Sequence, residues 1–303
     1  MKTLLSILSL AMMLASSAFA EESPSYKQAM NVVYAEEEGV GLLMDVFTPL
    51  VAAGPGKGLG IVCVNSGAWK SDRGILDAHV RFGFFDVLCR RGYVVFAVCP
   101  GSLSLFTARQ MLAHTNRGIR YVKAHAADYG IDPDRLGLIG ASAGGHLALL
   151  AATCPDPANP QSEDPLGRFG TRVRAVSVFC PATDFLDWNG KKYGLDLMQG
   201  QLVFRSGLAG KSEQEIEEAA KSISPVQQVR PGLPPFLLIH GDADSVIPIQ
   251  QSRKFVQAVQ ATGGEAGLII KAGGDHSWPT VREEVGKMAD WLDIQLASAP
   301  SGK

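Results

Sequence analysis

The central feature of the sequence is residues 136–146, which read Leu-Gly-Leu-Ile-Gly-Ala-Ser-Ala-Gly-Gly-His. This segment opens with a short apolar run, which is typical of a strand buried on both faces of a parallel sheet. It leads into residues 143–153, whose small and apolar side chains predict a buried helix. Gly140 and Gly144 flank Ser142 in the pattern G-x-S-x-G, so the sequence predicts a serine on a sharp turn between a strand and a helix.

A serine on such a turn presents its hydroxyl at the carboxyl edge of the sheet. The helix N-terminus behind it carries a partial positive charge, which favours negative charge that develops there. A serine hydroxyl is a weak nucleophile until a neighbouring base takes its proton. We therefore predict Ser142 as a nucleophile, with an acid and then a histidine following it along the chain.

Of the six histidines, His146 follows this serine within the turn, and His240 and His276 lie farther along the chain. His240 ends a predicted buried strand and precedes the candidate acids, which favours a structural, hydrogen-bonded role. His276 lies in a loop after the last predicted strand, where its imidazole can reach the turn. We predict His276 as the base and assign His146 to holding the turn in place.

Candidate acids cluster in residues 240–248, His-Gly-Asp-Ala-Asp-Ser-Val-Ile-Pro. The acid must fold back from the strand end and accept a hydrogen bond from the far nitrogen of the base. Asp244 lies deeper in this loop and is the predicted acid, whereas Asp242 suits turn formation. Asp275 adjoins the base and points elsewhere, and Asp184, after the preceding strand, is a remote third choice.

Acyl transfer also needs backbone N–H groups that face the developing oxyanion. One donor is predicted at Ala143, directly after the nucleophile. The others are predicted at Gly67 and Ala68, in the loop of residues 65–69 that follows an early central strand. An ordinary polar turn is the alternative interpretation of this loop.

Strand and helix patterns alternate along most of the chain. Strands are predicted at residues 60–64, 93–98, 135–139, 173–179, 236–239 and 267–271. Helices are predicted at residues 82–91, 116–129, 143–153, 250–261 and 279–296. This order indicates an α/β fold with a mostly parallel central sheet and helices on both faces. Residues 31–48 read as an antiparallel hairpin that precedes it.

Two stretches interrupt this alternation. Residues 155–171 are rich in Pro, Asp and Gly and read as a surface excursion. Residues 184–235 contain a helix that begins at Ser212, where Glu215 completes a capping box. This longer insertion could form a small cap over a pocket, or it could simply pack on an edge of the sheet.

The first twenty residues have the pattern of a signal peptide. Lys2 precedes an apolar run, and residues 18–20, Ala-Phe-Ala, form a small-x-small cleavage site. The run is too short to span a bilayer comfortably, which argues against a membrane anchor. We expect an exported protein, periplasmic or extracellular, whose residues 21–303 form one catalytic domain. No membrane span is predicted in the mature chain, because the uncharged residues 136–153 are explained as strand, turn and helix.

Composition excludes some partners. The 28 basic and 30 acidic side chains give a formal net charge of −2. No basic stripe is present to neutralise phosphates, so we do not expect nucleic-acid binding. No two of the five cysteines have metal-site spacing, and no metal or other cofactor is implied. Cys154 and Cys180 could lie close together, but the sequence does not fix a pairing.

Four segments together resemble the esterase/lipase branch of the α/β-hydrolase superfamily and are similar to bacterial feruloyl and acetyl esterases. They are residues 130–135 (Gly-Ile-Asp-Pro-Asp-Arg), 140–146, 240–252 and 273–276. The family usually carries His-Gly-Gly-Gly or His-Gly-Gly-Ala before an aromatic residue, whereas this chain has Asn65-Ser66-Gly67-Ala68-Trp69. Because the oxyanion donors are backbone groups, Gly67 and Ala68 still suit the role.

The resemblance implies hydrolysis of carboxylic esters, of small molecules or polysaccharides, through an acyl-enzyme. Two alternatives stay open. A serine peptidase of the prolyl-oligopeptidase type uses the same residues, but it normally carries a large propeller domain for which 303 residues leave no room. A binding protein that kept the fold without activity is the other alternative, and the altered oxyanion loop is its only support.

Overall fold

A computed structural model describes residues 25–192 and 200–297. The predicted signal peptide at residues 1–20 lies outside the described residues. Eight strands form one sheet: β1 (Tyr26–Glu37), β2 (Val40–Pro49), β3 (Gly60–Val64), β4 (Val94–Val98), β5 (Gly137–Ala141), β6 (Ala175–Phe179), β7 (Phe236–Gly241) and β8 (Ala266–Lys271). The α-helices of this part are α1 (Arg73–Arg81), α2 (Phe84–Arg90), α3 (Ala108–Ala124), α4 (Ala143–Thr153), α5 (Glu213–Ser222), α6 (Gln250–Ala261) and α7 (Val281–Ala297).

The strand order is β1-β2-β4-β3-β5-β6-β7-β8. The hairpin pair β1–β2 and the pair β2–β4 are antiparallel, and every other pair is parallel. The predicted α/β fold with an antiparallel opening hairpin is therefore confirmed. The parallel strands β3 to β8 all end at the same edge of the sheet, so the loops that follow them converge there.

The strands alternate their side chains between two apolar cores, one on each face of the sheet. On β3, Val62 belongs to the core under α3, α4 and α6, whereas Ile61 belongs to the core under α2 and α7. All eleven residues of α4 are buried, which accounts for the uncharged run of residues 136–153. Among the described helices, none is long and apolar enough to cross a membrane.

Two helices differ from the prediction. Helix α1 was not predicted, because it is only nine residues long and only Leu76 and His79 on it are buried. Helix α3 was predicted at residues 116–129, but it begins after Thr107 and ends at Ala124. Its start is set by a capping box between Thr107 and Gln110, a signal that the apolar spacing alone does not contain.

The described parts of the insertion at residues 184–235 pack against the helical layer. Helix α5 begins with the predicted capping box between Ser212 and Glu215. The Ala108 N–H of α3 donates to the Leu202 carbonyl at 2.8 Å. The role of this segment as a cap stays a prediction, since none of its described residues lines the cavity beside Ser142.

The turn between β5 and α4 depends on close backbone approach. Ser142 has φ of 54° and ψ of −121°, a left-handed backbone that is rare for non-glycine residues. Gly144 lies so close to the end of β3 that a Cβ on it would stand 2.2 Å from the Val64 carbonyl oxygen. A Cβ on Gly140 would meet the Gly144 carbonyl carbon at 2.5 Å. Both contacts are with backbone, which cannot rotate away, so only glycine fits.

Two buried histidines brace the elements around this turn. The His146 side chain accepts a hydrogen bond from the Trp69 indole N–H at 2.9 Å and donates to the Ile223 carbonyl at 2.7 Å. His79 contacts the Asn65 side-chain oxygen at 3.1 Å. Burial lowers the pKa of each imidazole to about 4, from 6.5. Both side chains are therefore neutral at pH 7.

We predict that Gly144→Ala lowers the free energy of unfolding by about 1–3 kcal/mol or more, because backbone must shift to admit the methyl group. The matched control is Gly286→Ala on α7, where nothing lies within 4 Å of the added Cβ. That change should raise the free energy by up to ~1 kcal/mol through helix propensity. Urea unfolding of both variants measures the difference, and equal effects would contradict the close contact.

We also predict that the free energy of unfolding falls as pH drops from 6.5 to 4. In this window the unfolded chain protonates His79 and His146 while the fold keeps them neutral, so unfolding takes up protons. Each histidine then contributes a slope of roughly 1 kcal/mol per pH unit. The His79→Gln variant should show a shallower slope in urea melts between pH 6.5 and 5. If the free energy of unfolding has the same pH slope in the unaltered chain and in His79→Gln, His79 is not kept neutral in the folded chain.

Candidate functional site

Three loops meet at the carboxyl edge of the sheet. Ser142 follows β5, Asp244 follows β7, and His276 follows β8. Strands β5 to β8 are consecutive neighbours in the sheet. Parallel pairing therefore brings together three side chains that are far apart in the sequence.

The three side chains form one continuous set of hydrogen bonds. The His276 Nε2 atom lies 2.9 Å from the Ser142 Oγ atom, and His276 Nδ1 lies 2.8 Å from Asp244 Oδ2. The Asp244 side chain is shielded from solvent, whereas 28% of the His276 side chain is exposed. With Nδ1–H donating to the carboxylate, Nε2 is left to accept the serine proton.

The surroundings of Asp244 favour its ionised form. Burial alone would raise the pKa of this carboxyl, but hydrogen bonds from His240, His276 and the Ile247 N–H outweigh it. The pKa of Asp244 is therefore held well below its usual range. Its Oδ1 atom accepts from the N–H groups of Val246 and Ile247, both at 2.8 Å. The carboxylate is thus fixed in orientation and charge.

His240, for which the sequence predicts a structural role, contacts the Asp244 carboxylate directly. Its Nε2 atom lies 2.9 Å from the Ile247 carbonyl oxygen and 3.2 Å from Asp244 Oδ2, while Nδ1 lies 2.7 Å from the Ser252 hydroxyl. Two acceptors at Nε2 assign the proton to that nitrogen. His240 therefore stabilises the ionised carboxylate of Asp244, the predicted acid. No spacing rule marks this contact in the sequence, because His240 lies on β7 and Asp244 in the loop that follows it.

The acid loop and the histidine loop are joined by backbone and carboxylate contacts. A Cβ on Gly241 would stand 2.1 Å from the Gly274 carbonyl oxygen, so the two loops touch directly. Asp275 accepts hydrogen bonds from the Ser245 N–H and hydroxyl, each at 2.8 Å. Asp242 accepts from the Gly273 N–H at 2.6 Å. Asp242 and Asp275 thus join the two loops, and neither carboxylate has a hydrogen bond to the His276 imidazole.

The third candidate acid lies elsewhere. Asp184 accepts from the Leu186 N–H at 3.0 Å and pairs with Lys254 at 3.3 Å. These contacts give Asp184 a structural role in the chain segment after β6.

Cys180 lies next to the imidazole and the carboxylate. Its Sγ atom lies 3.8 Å from the His276 carbonyl oxygen, and burial raises the pKa of its thiol. Cys154 and Cys180 are both free thiols. Among the described residues, Cys180, Asp244 and His276 are the only three candidate metal ligands that converge, with donor atoms within 4.8 Å of one another. A metal ion there would have to break the hydrogen bond between the carboxylate and the imidazole.

The loop after β3 forms a tight turn. Gly67 and Lys70 exchange two backbone hydrogen bonds, each 2.9 Å long, and both intervening residues, Ala68 and Trp69, have left-handed φ angles of 47° and 54°. The Gly67 N–H therefore donates within the turn to the Lys70 carbonyl, and its prediction as an oxyanion donor is corrected. Within the described residues, the N–H groups of Ala68 and Ala143 have no acceptor.

This turn is held against the serine. The Gly144 N–H of α4 donates to the Ser66 carbonyl at 2.8 Å. Trp69 is anchored by the His146 side chain described above. Asn65, where the family usually has histidine, is fully buried, and its side chain contacts His79 and the Cys99 Sγ atom. These contacts hold the loop in place although residue 65 is not a histidine.

Comparisons with known proteins find relatives among esterases. The esterase LipC of Mycobacterium tuberculosis is 31% identical over 221 residues, which are 72% of this chain and 52% of that protein. The probable carboxylic ester hydrolase LipM of the same organism is 29% identical over 199 residues, 65% of this chain and 44% of that protein. The chain thus spans about half the length of these curated relatives.

Among solved structures, a truncated carbohydrate esterase from gut microbiota superposes with a TM-score of 0.75 at 25% identity. The match covers 91% of this chain and 99% of that one. The BD-FAE family model matches residues 44–259, which include β3 to β7 and two of the three converging side chains, Ser142 and Asp244. The chain therefore belongs to the BD-FAE family and has the α/β-hydrolase fold.

Proposed function

We propose that this chain is an exported serine esterase that hydrolyses carboxylic esters through an acyl-enzyme. The observation that carries the proposal is the unbroken hydrogen-bond chain from the Ser142 hydroxyl through His276 to Asp244. The esterase relatives named above support it. Export is proposed from the pattern of residues 1–20. Its substrates are esters of small molecules or polysaccharides.

In the first half of the reaction, His276 Nε2 accepts the proton of Ser142 while Oγ attacks the ester carbonyl. The carbonyl oxygen becomes an anion, which the N–H groups of Ala68 and Ala143 stabilise. Asp244 stabilises the imidazolium that forms and remains ionised, as its lowered pKa requires. His276 then protonates the leaving alcohol, and the acyl group stays on Ser142.

In the second half, water enters the place that the alcohol left. His276 takes a proton from this water, and the resulting hydroxide attacks the acyl carbonyl. The imidazolium returns its proton to Ser142 Oγ as the acid leaves. All protons pass through one nitrogen, so no redox or metal step is needed for this sequence of reactions.

We expect Ser142→Ala to lower kcat for p-nitrophenyl acetate by at least about 10⁴-fold, since no acyl-enzyme can form. The unfolding midpoint should stay near that of the unaltered chain. Ser222→Ala, at the end of α5, is the matched control and should keep full activity. Ester turnover by a purified, folded Ser142→Ala protein would exclude this mechanism. Faster cleavage of prolyl-dipeptide amides than of esters by the unaltered chain would favour a peptidase instead.

A further inference from the structure

A small apolar cavity opens directly beside the Ser142 hydroxyl. It lies between the end of β6, the histidine loop and the junction of α1 and α2. Besides Ser142 and His276, four aromatic side chains line it, Phe82, Phe84, Phe179 and Trp278, and the remaining lining residues are Ala141, Cys180, Ser277 and Val281. Its volume is about 50 Å³.

The walls of this cavity are held in place by packing and by one buried hydrogen bond. The rings of Phe84 and Phe179 meet edge to face, with centroids 5.2 Å apart. The Trp278 indole N–H donates to Glu284 at 2.7 Å, and Glu284 is itself 2% exposed. These side chains have little freedom to widen the cavity. Phe82 is the least buried of the aromatic walls.

The apolar walls of the cavity decide whether it receives the acyl part or the alcohol part of an ester, which we call the acyl arm and the alcohol arm. The alcohol arm must leave before the second half of the reaction, and water must take its place. An aromatic cavity gives an alcohol and a water few hydrogen-bond partners, so it disfavours both. The acyl arm remains attached to Ser142 through both steps, and its apolar carbons gain from burial.

We propose that this aromatic cavity is the acyl site and that it limits the substrate to short acyl groups of about two to four carbons. The cavity volume of about 50 Å³ is several-fold below the roughly 300–1,000 Å³ of sites that hold drug-sized ligands. Acetyl and propionyl groups fit, whereas a cinnamoyl group or a long fatty acyl chain does not. This inference rests on the proposed function, because it assigns specificity to the same serine.

The first experiment measures kcat/KM of the unaltered chain for p-nitrophenyl esters from acetate to decanoate, together with methyl ferulate. We expect the highest values at acetate and propionate. Beyond butyrate we expect a fall of about 10-fold or more, because excess methylenes have no space. Equal or better turnover of octanoate or methyl ferulate would overturn the inference.

The second experiment widens the cavity. Phe82→Ala should raise the octanoate-to-acetate ratio of kcat/KM about 10-fold or more. Val80→Ala is the matched control, since this residue lies on α1 two positions before Phe82, is 37% exposed and does not line the cavity. Val281→Ala tests a second wall residue should Phe82→Ala fail to fold. An unchanged chain-length ratio in a folded widening variant would contradict the assignment.

The third experiment separates the two arms of the ester. Acetates of methanol, butanol and xylose are compared in the unaltered chain and in Phe82→Ala, and their ranking should not change. A changed ranking of alcohols with an unchanged ranking of acyl groups would assign the cavity to the alcohol and overturn the inference. A chain that hydrolyses no ester refutes the proposed function itself, whereas active hydrolysis without a preference for short acyl groups refutes this inference alone.

Discussion

The left-handed backbone of Ser142 is possible because two glycines let three chain segments touch. At Gly144, helix α4 lies against the Val64 and Ser66 carbonyls, so close that no side chain fits. This contact sets the direction of the serine hydroxyl and also the position of the loop that follows β3. In that loop, Ala68 lies two residues beyond Ser66, whose carbonyl accepts from the Gly144 N–H. One close backbone contact thus aligns the serine and the proposed oxyanion donors together.

The remaining members of the site are oriented by buried polar contacts. Asp244 receives hydrogen bonds from two imidazoles and two backbone N–H groups, which keep it charged although it is shielded from solvent. A buried charge is costly unless it is paired and hydrogen-bonded, so this arrangement is stable only as a complete set. It holds His276 in the tautomer that can take a proton from the serine. An aromatic cavity lies beside these residues.

Much of this arrangement could be predicted from the sequence, because the strongest patterns are local. The G-x-S-x-G turn and the buried strands β3 and β5 depend on neighbouring residues, and the prediction placed them within two residues. The choice of Asp244 over Asp242 followed from depth in the loop, and the structure brings the three predicted side chains together. The predicted roles of these side chains still await a functional test.

The features that were missed have different physical causes. Helix α1 is short and buries only two side chains, so it gives little sign of a core-facing stripe. The Gly67 N–H was available on composition, but the turn to Lys70 uses it. The hydrogen bond from the Trp69 indole N–H to His146 joins residues 77 positions apart, and no sequence-spacing rule predicts such a contact.

The central claim, that Ser142 is activated by His276, is tested most directly by covalent labelling. We predict that a fluorophosphonate probe adds once per folded chain, that peptide mass spectrometry locates the adduct on Ser142, and that His276→Gln slows labelling at least 10³-fold, on the order expected for loss of a general base. Labelling at another residue, or a folded chain that does not react, would contradict the account.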